Sequence, residues 1–163
     1  MSGLAGRLAA LRERLAREQV DALLVSSPAN VRYLTGFTGE GLAVITAAGG
    51  LVATDGRYLV EASAVGEGLE TVSHELGHLV GACEYLRAHG VAAVAFEAET
   101  LTYSSYETLS SRLEGVALRP CKRWVEEQRV IKAPEEVAFI REAARRVDTA
   151  LAAFLGALQP ASR

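Results

Sequence analysis

Apolar residues at Leu4, Leu8, Leu11 and Leu15 recur at helical spacing, while Arg7, Arg12, Glu13, Arg14 and Arg17 occupy the other face. That spacing predicts an amphipathic opening helix with one buried stripe. The run Ala22-Leu23-Leu24-Val25 is short, fully apolar and stopped by Ser26-Ser27-Pro28, the pattern of a buried strand ending in a turn. Two more apolar segments, 42–46 and 51–54, flank Ala47-Ala48-Gly49-Gly50 and predict an antiparallel hairpin. Beyond it helix and strand patterns alternate: helix over 57–65, strand over 70–73, helix over 79–89 closed by Gly90, and strand over 91–96. A helix over 103–113 and a last strand over 116–118, before Pro120, complete the series. This alternation predicts one α/β domain over residues 1–122, a three-layer mixed β-sheet with helices on both faces, mixed because of the early hairpin.

The tail over 123–163 differs in kind. Val137, Ile140, Ala144, Val147, Leu151, Phe154 and Leu158 recur at alternating intervals of three and four, an apolar seam along one long C-terminal helix. Pro134 suits its first position, and Glu135 and Glu136 suit the positive end of its dipole. Ala133 stands where a capping Ser, Thr, Asn or Asp is common, so the helix start is expected to be weakly fixed. The seam must be buried on the domain before it, on another copy of the chain, or on protein outside this sequence.

Composition narrows the function classes. Among 163 residues, 50% are hydrophobic and 23% charged, as in a globular domain, and the formal net charge of −3 offers no basic footprint for nucleic acid or an anionic membrane. Cys83 and Cys121 match no metal or haem spacing and read as reduced thiols of a cytoplasmic protein.

His74-Glu75-Leu76-Gly77-His78 fits H-E-x-x-H, which on a helix places two imidazoles on one face for Zn²⁺; with Glu84 as a third ligand it suggests a zinc hydrolase. The context argues against it: Thr71-Val72-Ser73 reads as strand and 79–89 as helix, so the motif straddles a junction, and the only methionine is Met1. The glycines of Gly36-Phe37-Thr38-Gly39-Glu40-Gly41 precede a strand, not the helix a phosphate loop would open. Asp55, after a strand and before a helix, reads as an N-cap, with Arg57 and Tyr58 pairing locally. Glu97 and Glu99, at a strand end without a His partner, read as a solvated face.

In order along the chain, Asp21-Ala22-Leu23-Leu24-Val25, Asn30-Val31-Arg32-Tyr33-Leu34-Thr35-Gly36-Phe37, Thr54-Asp55-Gly56-Arg57-Tyr58 and Arg129-Val130-Ile131-Lys132-Ala133-Pro134-Glu135-Glu136 resemble one known set. It is that of the N-terminal domain and interdomain junction of Xaa-Pro peptidases, the aminopeptidase P, prolidase and creatinase family. The resemblance implies a creatinase/prolidase-like α/β N-domain followed by the first helix of a catalytic domain that this sequence lacks. That domain would hold two divalent metal ions on five ligands and cleave proline-containing peptides, so no cofactor is expected in this chain. The implied role is non-catalytic: shaping substrate access and forming a homo-oligomer, with Asn30, Tyr33, Phe37 and Glu40 as contacts and Asp55, Arg57 and Tyr58 as a structural motif. A stand-alone binding module of peptidase-like fold is the other reading.

Overall fold

The computed structural model describes residues 3–158 apart from 64 and 67. The leucine stripe forms α1 (Leu4–Glu18), with Leu8, Leu11 and Leu15 buried. β1 (Ala22–Val25) is buried along its whole length. A helix, α2 (Pro28–Thr35), then follows where the sequence reading had only a turn. Its signals are nonetheless present: Pro28 pre-sets the helical φ at the first turn, and Gly36, at φ 80, ends the helix in a left-handed conformation.

β2 (Gly41–Thr46) and β3 (Gly50–Thr54) form the expected antiparallel hairpin, with Val44 opposite Leu51. The single helix expected over 57–65 is instead a 3₁₀ turn, Gly56–Tyr58, continued by the short α3 (Leu59–Ala62). β4 (Glu70–Ser73), α4 (His78–Ala88), β5 (Ala93–Glu97) and α5 (Tyr103–Arg112) follow the predicted alternation. β6 (Ala117–Cys121) runs through Pro120 instead of stopping before it. It is an edge strand beside β5, where one row of N–H groups lacks a sheet partner and proline is tolerated.

The sheet order is β4-β3-β2-β1-β5-β6. β1–β2 and β2–β3 are antiparallel and the other pairs parallel, so the sheet is mixed. Because side chains alternate along strands, Leu23, Ile45, Val52 and Ala95 pack with α1 and α2 on one face. Leu24, Val44, Leu51 and Val94 pack with Leu86 of α4 and Leu109 of α5 on the other. Three layers result.

The next helix, α6 (Trp124–Val130), begins after Arg123 in a left-handed conformation. Val125 is buried in the first core face and Trp124 packs against it, so the packed unit continues past residue 122. By contrast α7 (Pro134–Ala157), a helix of 24 residues and about 36 Å, has no buried residue; near its start Glu136 and Val137 are only partly covered. Along its seam Ile140, Val147, Leu151 and Phe154 are 52–64% exposed.

Candidate functional site

α2 and the loop after it bring three of the sequence motifs together. At the N-terminal end of α2 the first N–H groups lack helical partners, and a negative group is favoured there. The carboxylate of Glu97, at the end of β5, supplies a negative group beside that end, bound to the N–H groups just ahead of the helix and not to those of its first turn. It accepts from the backbone N–H of Ser26 and Ser27, both at 2.7 Å, from Asn30 Nδ2 at 2.6 Å, and from Thr100 Oγ1 at 3.2 Å. Glu97 is only 8% exposed, which corrects the solvated-face reading; Glu99 alone is exposed. A buried carboxylate persists when such donors replace its lost water.

Asn30 carries the connection outward. Its Nδ2 also donates to Glu126 Oε1 at 2.6 Å, and its Oδ1 accepts from Arg129 Nη1 at 2.8 Å. One buried amide therefore ties α2 to β5 and to α6.

Tyr33, one turn on, is half-buried, and burial raises its phenol above the usual range. The Arg7 guanidinium lies 4.2 Å over its ring, donates to the Tyr33 carbonyl at 2.9 Å, and pairs with Glu136 at 3.2 Å. The second oxygen of Glu136 accepts from the Ala133 N–H at 2.9 Å. The start of α7 is thus fixed by Glu136, although Ala133 supplies no capping oxygen. Lys132 Nζ donates to the carbonyls of Arg129 and Val130 and closes the end of α6.

At the C-terminal end of α2, Thr35 Oγ1 donates to Val31 O and accepts from the Phe37 N–H. This turn drives Phe37 into the core, where its ring meets Tyr58 edge-on at 6.3 Å. Gly39 lies against both rings, and a Cβ there would stand 2.6 Å from Phe37 and 2.7 Å from Tyr58. The Glu40 carbonyl accepts from Thr54 Oγ1 at 2.6 Å, and its carboxylate pairs with Arg57 at 3.3 Å. Asp55 accepts from the Arg57 N–H at 2.8 Å, the expected cap, and its hydrogen-bonded pair with the Arg57 side chain at 2.7 Å holds its carboxyl below the usual range.

Of the four contact residues expected from the sequence, Tyr33 and Glu40 reach solvent, whereas Asn30 and Phe37 lie inside. Glu97, Glu126, Arg7 and Glu136 complete the arrangement. The roles of the first three become readable only when β5, α6 and α1 converge on α2.

The H-E-x-x-H segment does straddle two elements. His74 follows β4, His78 opens α4, and Gly77 between them has φ 101. The imidazoles therefore do not share a helical face, which removes the geometry of the zinc-hydrolase alternative. His74 Nδ1 accepts from the Leu76 N–H and its Nε2 faces Glu84 Oε1 at 3.2 Å. Among the described residues no group of three or more His, Cys, Asp or Glu is arranged to hold a metal ion. No described helix is long and apolar enough to cross a membrane.

Comparison with known proteins adds an independent finding. A profile of the Creatinase/Prolidase N-terminal domain matches residues 7–131. An uncharacterized peptidase, YqhT, of Bacillus subtilis is 33% identical over 155 residues, 94% of this chain and 44% of that protein. A Bacillus anthracis Xaa-Pro dipeptidase structure superposes with TM-score 0.89 and 28% identity, over 97% of this chain and 44% of the other. The N-terminal domain of the cytoplasmic peptidase PepQ from Mycobacterium tuberculosis H37Rv aligns with TM-score 0.69 and 29% identity, over 75% of this chain and 97% of that one. The chain spans less than half the length of its Bacillus relatives.

Proposed function

Since the chain belongs to the creatinase/prolidase N-terminal domain family, we propose that it is the non-catalytic N-terminal domain of a metal-dependent Xaa-Pro peptidase of aminopeptidase P or prolidase type. The observation that carries this reading is the match of nearly the whole chain, α7 included, to less than half of an Xaa-Pro dipeptidase. The catalytic domain, its two metal ions and the proline-containing peptides it cleaves belong to the rest of such a protein. No metal cluster forms among the residues described here.

In this reading the apolar seam of α7 is covered by the catalytic domain. The segment from α2 to Glu40 shapes substrate access and contributes to a homo-oligomer contact, with Tyr33 and Glu40 presenting side chains to solvent and Asn30 and Phe37 holding the segment in place. The setting is cytoplasmic, in keeping with the two buried free thiols.

The test is a chimera in which this chain replaces the N-terminal domain of the Bacillus anthracis enzyme. With added Mn²⁺, the chimera cleaves an Xaa-Pro dipeptide or an Xaa-Pro-Yaa tripeptide, and this chain alone cleaves neither. Metal-dependent turnover by the chain alone contradicts the proposal, as does a well-folded chimera that cleaves neither peptide.

A further inference from the structure

One cleft gathers several arginine side chains. It lies between the start of α1, the outer face of α2 and the end of α6, with a volume of about 460 Å³, and Leu4, Ala29 and the Tyr33 side chain form part of its wall. Three guanidinium groups, Arg7, Arg32 and Arg129, line it against one carboxylate, Glu136. This concentration of positive charge sits on a protein whose formal net charge is −3.

Two of the three cations are held in place by neutral acceptors. Arg7 Nη1 is bound to the Tyr33 carbonyl and Arg129 Nη1 to Asn30 Oδ1. Glu136 is already engaged by Arg7 and by the Ala133 N–H. Among the described residues the Arg32 side chain makes no hydrogen bond or ion pair, and Arg129 uses only one of its five N–H groups. Arg32 shares the α2 face of Ala29, Tyr33 and Gly36, so its guanidinium is carried on a helix and not on a loop.

We infer that this cleft is a carboxylate-binding site, with Arg32 and Arg129 as the two donors. Each guanidinium presents a planar fork matched to a carboxylate; Arg129 is held by Asn30, and Arg32, with no protein partner among the described residues, is free to turn toward the ligand. The resident Glu136 disfavours a dianion such as phosphate more than a monoanion. The carboxylate comes from a peptide C-terminus or from an acidic side chain of protein docked beside the junction. The inference goes beyond the peptidase reading and does not depend on it.

The test is a titration of the ¹⁵N-labelled chain, observing the arginine Nε–H signals at constant ionic strength. N-acetyl-L-proline stands for a peptide C-terminus and N-acetyl-L-aspartic acid α-amide for an acidic side chain; N-acetyl-L-proline amide, chloride and inorganic phosphate are controls. Saturable shifts at Arg32 and Arg129 with at least one carboxylate, absent with the amide and chloride, are expected, and the tighter carboxylate identifies the source. Because Arg32 is exposed, Arg32→Gln keeps the fold and weakens binding by about tenfold or more. Shifts that do not saturate, equal shifts with chloride, tighter binding of phosphate, or unchanged affinity in Arg32→Gln each overturn the assignment. A cation that serves only the negative end of α2 gives no saturable binding.

Discussion

Asn30 Nδ2 stands 2.6 Å from Glu97 Oε1, a bond between two buried side chains 67 residues apart that joins the start of α2 to the end of β5. The same amide holds Glu126 and Arg129 of α6. Its removal leaves a buried carboxylate short of a donor and removes the side-chain tie between α2 and the seven-residue α6. Asn30→Ala is therefore expected to destabilise the fold by about 2–4 kcal/mol, read from urea unfolding. Asn30→Asp should cost no less, because it places a third carboxylate beside Glu97 and Glu126. A change below about 0.5 kcal/mol for Asn30→Ala would show that α6 does not depend on this amide.

Gly36 ends α2 at φ 80. A β-carbon in this conformation costs about 1–2 kcal/mol, although the space around it is open apart from Leu4 at 3.5 Å. Gly36→Ala should lower stability by that amount, whereas Gly115→Ala, also at positive φ with nothing nearby, should lower it similarly without disturbing Phe37. Tryptophan-independent probes, such as the Phe37 and Tyr58 ring resonances, separate the two: only the Gly36 variant should shift them.

Cys121 is buried beside Glu97 and Glu126, and burial first, then these carboxylates, push its thiol up to about 12. A thiol raised in the folded state binds its proton there after the unfolded chain has lost it. Its contribution to stability is therefore complete below the ordinary thiol value of about 8.5 and is lost progressively as pH rises toward 12. Alkylation at pH 8 should be slow for Cys121 and for Cys83, which burial also raises, and should accelerate only with unfolding. Rapid labelling of folded protein at pH 8 would place either thiol at the surface.

Asp55 shifts the other way. Its carboxyl is lowered by the Arg57 side chain and backbone N–H, so the cap is in force above the ordinary Asp value and is lost as pH falls through the lowered one. Hydrogen exchange at the Arg57 amide should show protection declining in acid in the parent chain. In Asp55→Ala that protection should be low at every pH.

The strands and the larger helices were legible because each carries a clear period: Leu8, Leu11 and Leu15 mark one face of α1, and the hairpin glycines separate β2 from β3. α2 is hidden in the sequence because Ser27-Pro28 serves a turn and a helix start equally well, and eight residues give little periodicity. The start of α6 has no local signal, since Arg123 adopts its left-handed conformation only where Trp124 and Val125 dock on the core. The burial of Glu97 is hidden for a related reason: the N–H groups that bind it belong to Ser26 and Ser27, some 70 residues earlier. The cap of Asp55 on Arg57 is legible within its own few residues, whereas its contacts lie elsewhere: Phe37 ends a second motif of the same resemblance, and Glu40 stands three residues beyond it.

In the proposed N-terminal-domain reading, the α7 seam is an interdomain surface covered by the catalytic domain of a larger peptidase. Amide hydrogen exchange along residues 134–157 tests it most directly, measured on the isolated chain at a concentration where light scattering reports a monomer, and on the chimera with the Bacillus anthracis catalytic domain. Fast exchange around Val147, Leu151 and Phe154 in the monomer and strong protection in the chimera are predicted. Equal protection of these amides in the isolated monomer, or none in a folded chimera, would contradict it.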